Sequence, residues 1–136
     1  MKKLLFVCIV LLLTACGQGS KSGDTEVINL YGIWELQELN GIEVSAEQLP
    51  TMALQEEGAL NGFTSCNIMN GTFTAKDNGE IAFGEITTTR MSCPDSALES
   101  SMLEILSEVE RFSVSEGRLT LYTEGKVVAI LYAITL

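Results

Sequence analysis

The chain has 136 residues, with 18 acidic side chains, 8 basic ones and no histidine, and its net charge is −10. This length suits one folded domain, and the negative charge repels phosphate, so we exclude nucleic acid as a partner. The missing histidine removes the usual general base and the commonest zinc ligand, so we expect no enzyme, no metal site and no cofactor.

The first residues have the layout of an export signal. Lys2 and Lys3 are followed by an unbroken apolar run over residues 4–13. A helix that spans a bilayer needs about 20 apolar residues, so this run is too short to be a permanent anchor. Residues 13–16, Leu-Thr-Ala-Cys, resemble the lipobox of bacterial lipoproteins, in which the signal is cut before the cysteine and acyl chains such as palmitate are attached to it. The alternative is an ordinary secretory signal that ends in a chance cysteine.

This pattern divides the chain into three parts. We expect a lipoprotein signal peptide over residues 1–15, a lipidated Cys16 with a flexible tether over residues 16–26, and one domain over residues 27–136. Several acyl chains on one cysteine would hold the protein stably on a cell membrane. Gly17 is not the aspartate that retains some bacterial lipoproteins in the inner membrane, which favours the outer membrane. Cleavage would leave six basic residues against 18 acidic ones, a net charge of −12.

Short β-type runs separated by turn residues fill most of the domain, which favours antiparallel strands. In the first run Trp34 and Leu36 share one face, and Asn40-Gly41 after it predicts a hairpin turn. Further strands are predicted around residues 52–54, 60–63, 72–75 and 80–89. The apolar side chains of the last of these runs change face near Gly84, which predicts a β-bulge there.

One helix interrupts the strands. Ser96 is predicted as its N-cap, with Glu99 as the partner in a capping box. Helical spacing gathers five apolar residues into one core-facing stripe: Leu98, Met102, Ile105, Leu106 and Val109. Strands are then predicted at 112–114, 118–123 and 126–135, joined at Glu116-Gly117 and Glu124-Gly125. The last strand is apolar on both faces, which predicts that it is buried on both sides or closes a barrel.

The predicted fold class is therefore α+β. We expect an antiparallel, strongly curved, barrel-like β-sheet with one α-helix packed on it.

Four segments of the domain form a recognisable set. They are Trp34-Glu35-Leu36, Gly62 with Ser65-Cys66-Asn67 and Gly71, Thr89-Arg90-Met91-Ser92-Cys93, and Leu119-Thr120-Leu121. Together they resemble the META domain, the family of HslJ-like heat-shock lipoproteins, from about Leu30 to Ile134. On this resemblance, the motif residues are Trp34, Gly62, Asn67, Gly71, Thr89 and Met91.

The resemblance also carries expectations about fold and role. It implies an antiparallel sheet curled toward a barrel with a helix packed on it. It implies an association with heat shock and novobiocin resistance and, in some members, with secretion or virulence. It implies no established catalysis.

Cys66 and Cys93 are the two cysteines of the domain itself, since Cys16 is assigned to lipid. Export would place them in an oxidising compartment, where an even pair usually bonds, so a disulfide is the leading prediction. Two buried free thiols remain an alternative, because thiols pack well as small apolar groups. A reactive or metal-binding cysteine is a third reading, against which the absence of histidine weighs.

These observations favour a non-catalytic lipoprotein of the META type. We expect a binding or interaction module held at the membrane by its lipid, with envelope proteins as possible partners in stress or drug tolerance. The alternative is a carrier of an apolar ligand inside the curved sheet, in a cavity near Trp34, Phe83 and Ile130. The sequence does not identify a ligand.

Overall fold

A computed structural model describes residues 29–94 and 96–134 of the protein. The predicted signal peptide and tether, with Cys16 and Gly17, lie outside this part of the chain. In chain order the elements are β1 (Gly32–Leu39), β2 (Ile42–Glu43), β3 (Thr51–Leu54), β4 (Ala59–Phe63), β5 (Ile68–Ala75), β6 (Ile81–Phe83), β7 (Thr87–Thr88), α1 (Ala97–Glu108), β8 (Arg111–Ser115), β9 (Arg118–Thr123) and β10 (Lys126–Ala133).

The strands form one antiparallel sheet that curls back on itself. Its order is β6-β5-β4-β3-β1-β10-β9-β8, with β2 beside β1 and β7 beside β5. The two ends of this order meet, since the Ile81 N–H donates to the Glu110 carbonyl at 3.0 Å and the Phe112 N–H donates to the Gly79 carbonyl at 2.9 Å. The sheet is thus a nearly closed barrel, and the predicted α+β class with a curved sheet is confirmed.

Three hairpin turns have the backbone that their sequences predict. The φ angles are 51° and 77° at Asn40-Gly41, 52° and 74° at Glu116-Gly117, and 50° and 75° at Glu124-Gly125. Positive φ at both central residues defines the type I′ turn, whose twist matches that of the flanking strands. The pairs β1–β2, β8–β9 and β9–β10 are therefore set by local sequence.

The helix fills one side of the barrel. Its predicted apolar stripe is confirmed, with Met102, Ile105 and Leu106 all buried. The helix and barrel enclose an apolar cavity of about 10 Å³, lined by Leu36, Leu39, Met52, Met102, Ile105, Leu106, Leu121, Ala129 and Leu131. That volume holds about one water molecule at most. The inside of the barrel is therefore filled by its own side chains.

The predicted β-bulge near Gly84 is confirmed in its residue count. Phe73 pairs with Phe83, and Asn70 pairs with Thr87. Residues 84–86 therefore lie opposite residues 71–72, which leaves one residue extra on the later segment. The bulge divides the predicted 80–89 run into the two short strands β6 and β7.

The prediction that the last strand is buried on both faces is wrong. Ala129 and Leu131 of β10 point inward and are buried, whereas Val127 and Tyr132 are 45% and 46% exposed. The strand lies between β1 and β9 in a wall one layer thick, with the core on its inner side only. Nor does β10 supply the closing contact of the barrel, which lies between β6 and β8.

Gly62 of β4 lies where no side chain fits. A Cβ atom at this position would come within 2.2 Å of the Thr51 carbonyl oxygen and 2.6 Å of the Met69 methyl group. The carbonyl belongs to the backbone of the neighbouring strand, so it cannot move aside without disturbing the β3–β4 pairing. Gly62 is therefore required by the close approach of two strands.

We expect Gly62→Ala to lower the free energy of unfolding by about 1–3 kcal/mol or more, because it overpacks the barrel wall. Urea unfolding of the purified protein measures this loss. The control is Asn61→Ala on the same strand, since Asn61 is only half-buried. Equal stability of the wild type and the Gly62 variant would contradict the steric argument.

Candidate functional site

Three segments that are distant in sequence meet at one end of the barrel. They are the loop between β4 and β5, the segment that follows β7, and the first turn of α1. We call this meeting point the Asn67 junction; its members are Thr64, Cys66, Asn67, Thr89, Met91, Cys93 and Glu99. It contains three of the motif residues that the sequence singled out, Asn67, Thr89 and Met91, and both domain cysteines.

The side-chain amide of Asn67 joins all three segments. Its Oδ1 accepts the backbone N–H of Met91 at 2.7 Å and the hydroxyl of Thr89 at 3.0 Å. Its Nδ2 donates to the two carboxylate oxygens of Glu99 at 3.1 and 2.9 Å. Only this orientation of the amide gives every group a suitable partner, since the carboxylate accepts and the N–H donates. Asn67 is 3% exposed, so these bonds replace its contacts with water.

Glu99 has a different role from the predicted one. The Ser96 side chain makes no capping hydrogen bond, so the capping box is wrong. Glu99 instead accepts hydrogen bonds from the Asn67 amide and the Thr64 hydroxyl. Its place in the first helical turn also suits a negative charge, because the unpaired N–H groups of that turn attract it.

Thr64 completes the polar contacts. Its hydroxyl accepts the backbone N–H of Asn67 at 2.9 Å, and its own N–H donates to the Asn67 carbonyl at 2.8 Å. These bonds close the tight loop in which Ser65 adopts a φ of 76°. Thr64 is fully buried, and a nucleophile has to reach its substrate. The hydroxyl therefore organises the loop.

The leading cysteine prediction is confirmed, since Cys66 and Cys93 form a disulfide with a Cα–Cα distance of 5.8 Å. The bond attaches the segment before α1 to the loop between β4 and β5. It runs beside the hydrogen bonds of Asn67, so the same two segments are tied twice. The alternatives of free thiols and of a metal-binding cysteine are not realised in this structure.

The other motif residues act apart from the junction or at its edge. The buried Trp34 indole donates to the Leu30 carbonyl at 2.8 Å and closes the start of β1 against the core. A Cβ at Gly71 would come within 2.9 Å of the Glu85 carbonyl oxygen, so the missing side chain of this glycine lets the backbone of the bulge pass close to β5. Met91 differs from both, because its backbone is held by Asn67 while its side chain is 61% exposed.

Sequence reasoning missed two members of the junction, Thr64 and Glu99. Thr64 stands immediately before the Ser65-Cys66-Asn67 motif segment, which is the one available signal. Glu99 gave a misleading signal, because its spacing from Ser96 is that of a capping box. Both partners of Glu99 lie more than 30 residues away in sequence, so local pattern could not identify them.

Glu80 lies beside the seam between β6 and β8. It is the one group in the described part of the chain whose pKa is clearly shifted. The hydrogen bond from Lys76, and next its charge, lower the pKa of the exposed Glu80 carboxyl. The two side chains are 3.1 Å apart. An exposed pair of this kind adds little to stability.

In the described part of the chain, the side chains of Thr64, Asn67 and Glu99 at the junction are hydrogen-bonded to one another. Within residues 29–94 and 96–134, no three His, Cys, Asp or Glu side chains gather in a way that could hold a metal ion. In the same residues every buried side-chain nitrogen and oxygen has a hydrogen-bond partner.

The predicted ligand cavity near Trp34, Phe83 and Ile130 does not match the packing, since the interior is filled and Ile130 faces outward. None of the helices in the described residues is long and apolar enough to span a bilayer.

We expect Asn67→Ala to lower the free energy of unfolding by about 2–4 kcal/mol, because buried partners would be left without hydrogen bonds. Chemical unfolding of the variant and the wild type measures the difference. Asn70→Ala is the matched control, since Asn70 is exposed on the adjoining strand and should change stability by about 0.5 kcal/mol or less. Similar losses in both variants would argue against the junction as a stabilising centre.

Reduction of the disulfide should lower the free energy of unfolding by about 3.5 kcal/mol, the loop-entropy value for cysteines 27 residues apart. Unfolding curves with and without dithiothreitol measure this effect. In the double variant Cys66→Ser, Cys93→Ser the reductant should have no effect. The prediction would be refuted if the unfolding curve of the wild type were the same with and without dithiothreitol.

Comparison with known proteins agrees with this architecture. No curated protein matches the chain significantly. One solved NMR structure is 23% identical with a TM-score of 0.60 and covers 76% of this chain and 89% of that one. A protein from Burkholderia xenovorans, also solved by NMR, is 21% identical with a TM-score of 0.62, and the match covers 77% and 83% of the two chains. A crystal structure of a DUF4847 family protein from Bacteroides vulgatus is 14% identical with a TM-score of 0.56, and the match covers 79% and 94%.

At these identities the three structures share the fold alone. The sequence model of the META domain family matches residues 28–133. This range is most of the chain and is nearly the range over which the motif segments resemble that family. The chain belongs to the META domain family.

Proposed function

We propose that the protein is a membrane-anchored, non-catalytic lipoprotein whose META domain serves as a binding or interaction module in the cell envelope. The proposal has two parts, the anchor at Cys16 and the interaction carried by the domain. Each part has its own support and its own experiment.

The anchor is supported by the amino-terminal sequence. A basic start, an apolar run and a lipobox-like end precede Cys16, and the residues beyond it lack large apolar side chains until Val27. The Cys66–Cys93 disulfide supports export, because such bonds persist in oxidising compartments and are rare in the cytosol. Gly17 favours the outer membrane over the inner one.

The observation that carries the interaction role is the filled interior. The cavity between helix and barrel measures about 10 Å³, far below the roughly 300–1,000 Å³ of a site that encloses a small ligand. The buried polar groups of the Asn67 junction are committed to one another. The outer surface is therefore the part of the domain that is left to meet another molecule, and its negative charge favours a protein over nucleic acid or anionic lipid.

The biological setting follows from the family. Family members are associated with heat shock and with novobiocin resistance, and both fit a protein that acts on the envelope. We propose that envelope proteins are the partners, and that contact with them matters under envelope stress. A stable, filled barrel on a tether would approach such partners near the membrane without a catalytic step.

The anchor is tested by metabolic labelling with palmitate. We expect the wild type to carry label and Cys16→Ser to carry none, since the lipid would be attached through this thiol. Cys8→Ser is the control, because Cys8 lies within the apolar run and should leave labelling intact. Label that persists in the Cys16 variant would refute the anchor.

The interaction is tested by crosslinking in living cells under envelope stress. We expect the protein to recover specific partners above the level of an unrelated lipoprotein of similar charge. Gly62→Ala, in which the barrel is destabilised, should recover less of the same partners. Recovery no greater than that of the control lipoprotein would count against an interaction module.

A further inference from the structure

The two sulfurs of the disulfide face different surroundings. Cys66 is 3% exposed and lies against the polar contacts of Asn67. Cys93 is half-buried and lines an open cleft of about 690 Å³, whose other walls are Ala46, Glu47, Gln48, Ser65 and Pro94. Cys93 is therefore the more accessible of the two cysteines to a molecule approaching from solvent.

The Cys66 sulfur lies between a hydrogen-bond donor and the Met91 carbonyl oxygen, which is 3.6 Å away. The Asn67 Nδ2 donates to the Cys66 sulfur at 3.4 Å. The N–H donor assists the thiolate that leaves when a disulfide is attacked, and the carbonyl oxygen can accept a hydrogen bond from the Cys66 thiol that forms when this thiolate is protonated. The contacts thus favour attack of a thiolate on Cys93, with Cys66 as the leaving group.

The segment that carries Cys93 has other attachments besides the disulfide. The Met91 N–H is held by Asn67 Oδ1 at 2.7 Å. The Thr89 N–H donates to the Ile68 carbonyl, and the Ile68 N–H donates to the Thr89 hydroxyl, both at 3.0 Å. These bonds do not involve either sulfur, so the segment keeps its place when the disulfide opens.

From these three observations we propose that Cys93 is a thiol–disulfide exchange site for a dithiol, and that the domain stays folded in both redox states. One thiolate of the dithiol attacks the Cys93 sulfur and forms a mixed disulfide. The bond between the two cysteines breaks, and Cys66 leaves with the electron pair and takes up a proton from solvent.

The second thiol of the dithiol completes the exchange. It attacks the dithiol's own sulfur in the mixed disulfide, which releases Cys93 as a thiol and leaves the dithiol as a disulfide. Two electrons pass from the dithiol to the domain, and the reverse sequence restores the Cys66–Cys93 bond. The reduced domain then presents one accessible thiol, at Cys93, and one enclosed thiol, at Cys66.

The accessibility of each sulfur is tested with the variants Cys66→Ser and Cys93→Ser of the full chain, purified in detergent, pulsed with iodoacetamide and read from the masses of the peptides that contain Cys93 or Cys66, so that Cys8 and Cys16 do not contribute. We expect Cys93 in Cys66→Ser to be alkylated on the order of tenfold or more faster than Cys66 in Cys93→Ser. Both should react at the same rate in denaturant. The wild type, reduced with dithiothreitol and pulsed in the same way, provides the same comparison without a variant, read from its peptide masses.

A second arm identifies the source of the dithiol. A thioredoxin whose resolving cysteine is serine should be trapped as a mixed disulfide on Cys93 if a protein dithiol is used, whereas opening by dithiothreitol alone indicates a small dithiol. Circular dichroism of the reduced wild type should retain the native spectrum. The proposal is overturned if Cys66 reacts as fast as Cys93, if neither reacts before unfolding, or if reduction unfolds the domain.

This exchange does not depend on the lipid anchor or on a partner in the envelope. Loss of palmitate labelling and loss of exchange are separate measurements, so either proposal can fail without the other.

Discussion

The side-chain amide of Asn67 fixes three segments relative to one another: the loop between β4 and β5, the segment after β7 and the start of the helix. Because Asn67 is buried, these relative positions are tightly constrained: a polar group removed from water destabilises the fold unless each of its atoms finds a partner. The oxygen holds the Met91 N–H and the nitrogen reaches Glu99, so a shift of any one segment would leave a buried group unpaired. The helix is thereby placed against the barrel with its apolar stripe toward the core.

The interior shows what that placement achieves. Met102, Ile105 and Leu106 occupy the space that the curved sheet would otherwise leave open, and the remaining cavity is about the size of one water molecule. Gly62 contributes from the wall, since its missing side chain lets β3 and Met69 come close. A barrel packed in this way has little room for a ligand between its helix and its sheet. This is why a surface interaction fits the structure better than a carried ligand.

The disulfide and the Asn67 hydrogen bonds tie the same two segments by different chemistry. The covalent bond acts mainly on the unfolded chain, by limiting its freedom, whereas the hydrogen bonds act in the folded state. Because the hydrogen bonds of the Asn67 Oδ1 do not involve either sulfur, they can hold while the disulfide opens. Cys93 is half-buried whereas Cys66 is almost fully buried, and this difference gives the proposed opening its direction.

Features that depend on neighbouring residues were predictable from the sequence. The turn Asn40-Gly41 favours positive φ, the helix stripe repeats at helical spacing, and the change of face near Gly84 revealed the extra residue. The motif segments also indicated the family, and paired cysteines indicated their bond. Only the tertiary structure decided that Glu99 serves Asn67 rather than its own helix, and that the outer face of β10 meets water. Both depend on partners brought together by the strand order, and a local pattern contains no record of which distant segment will lie beside it.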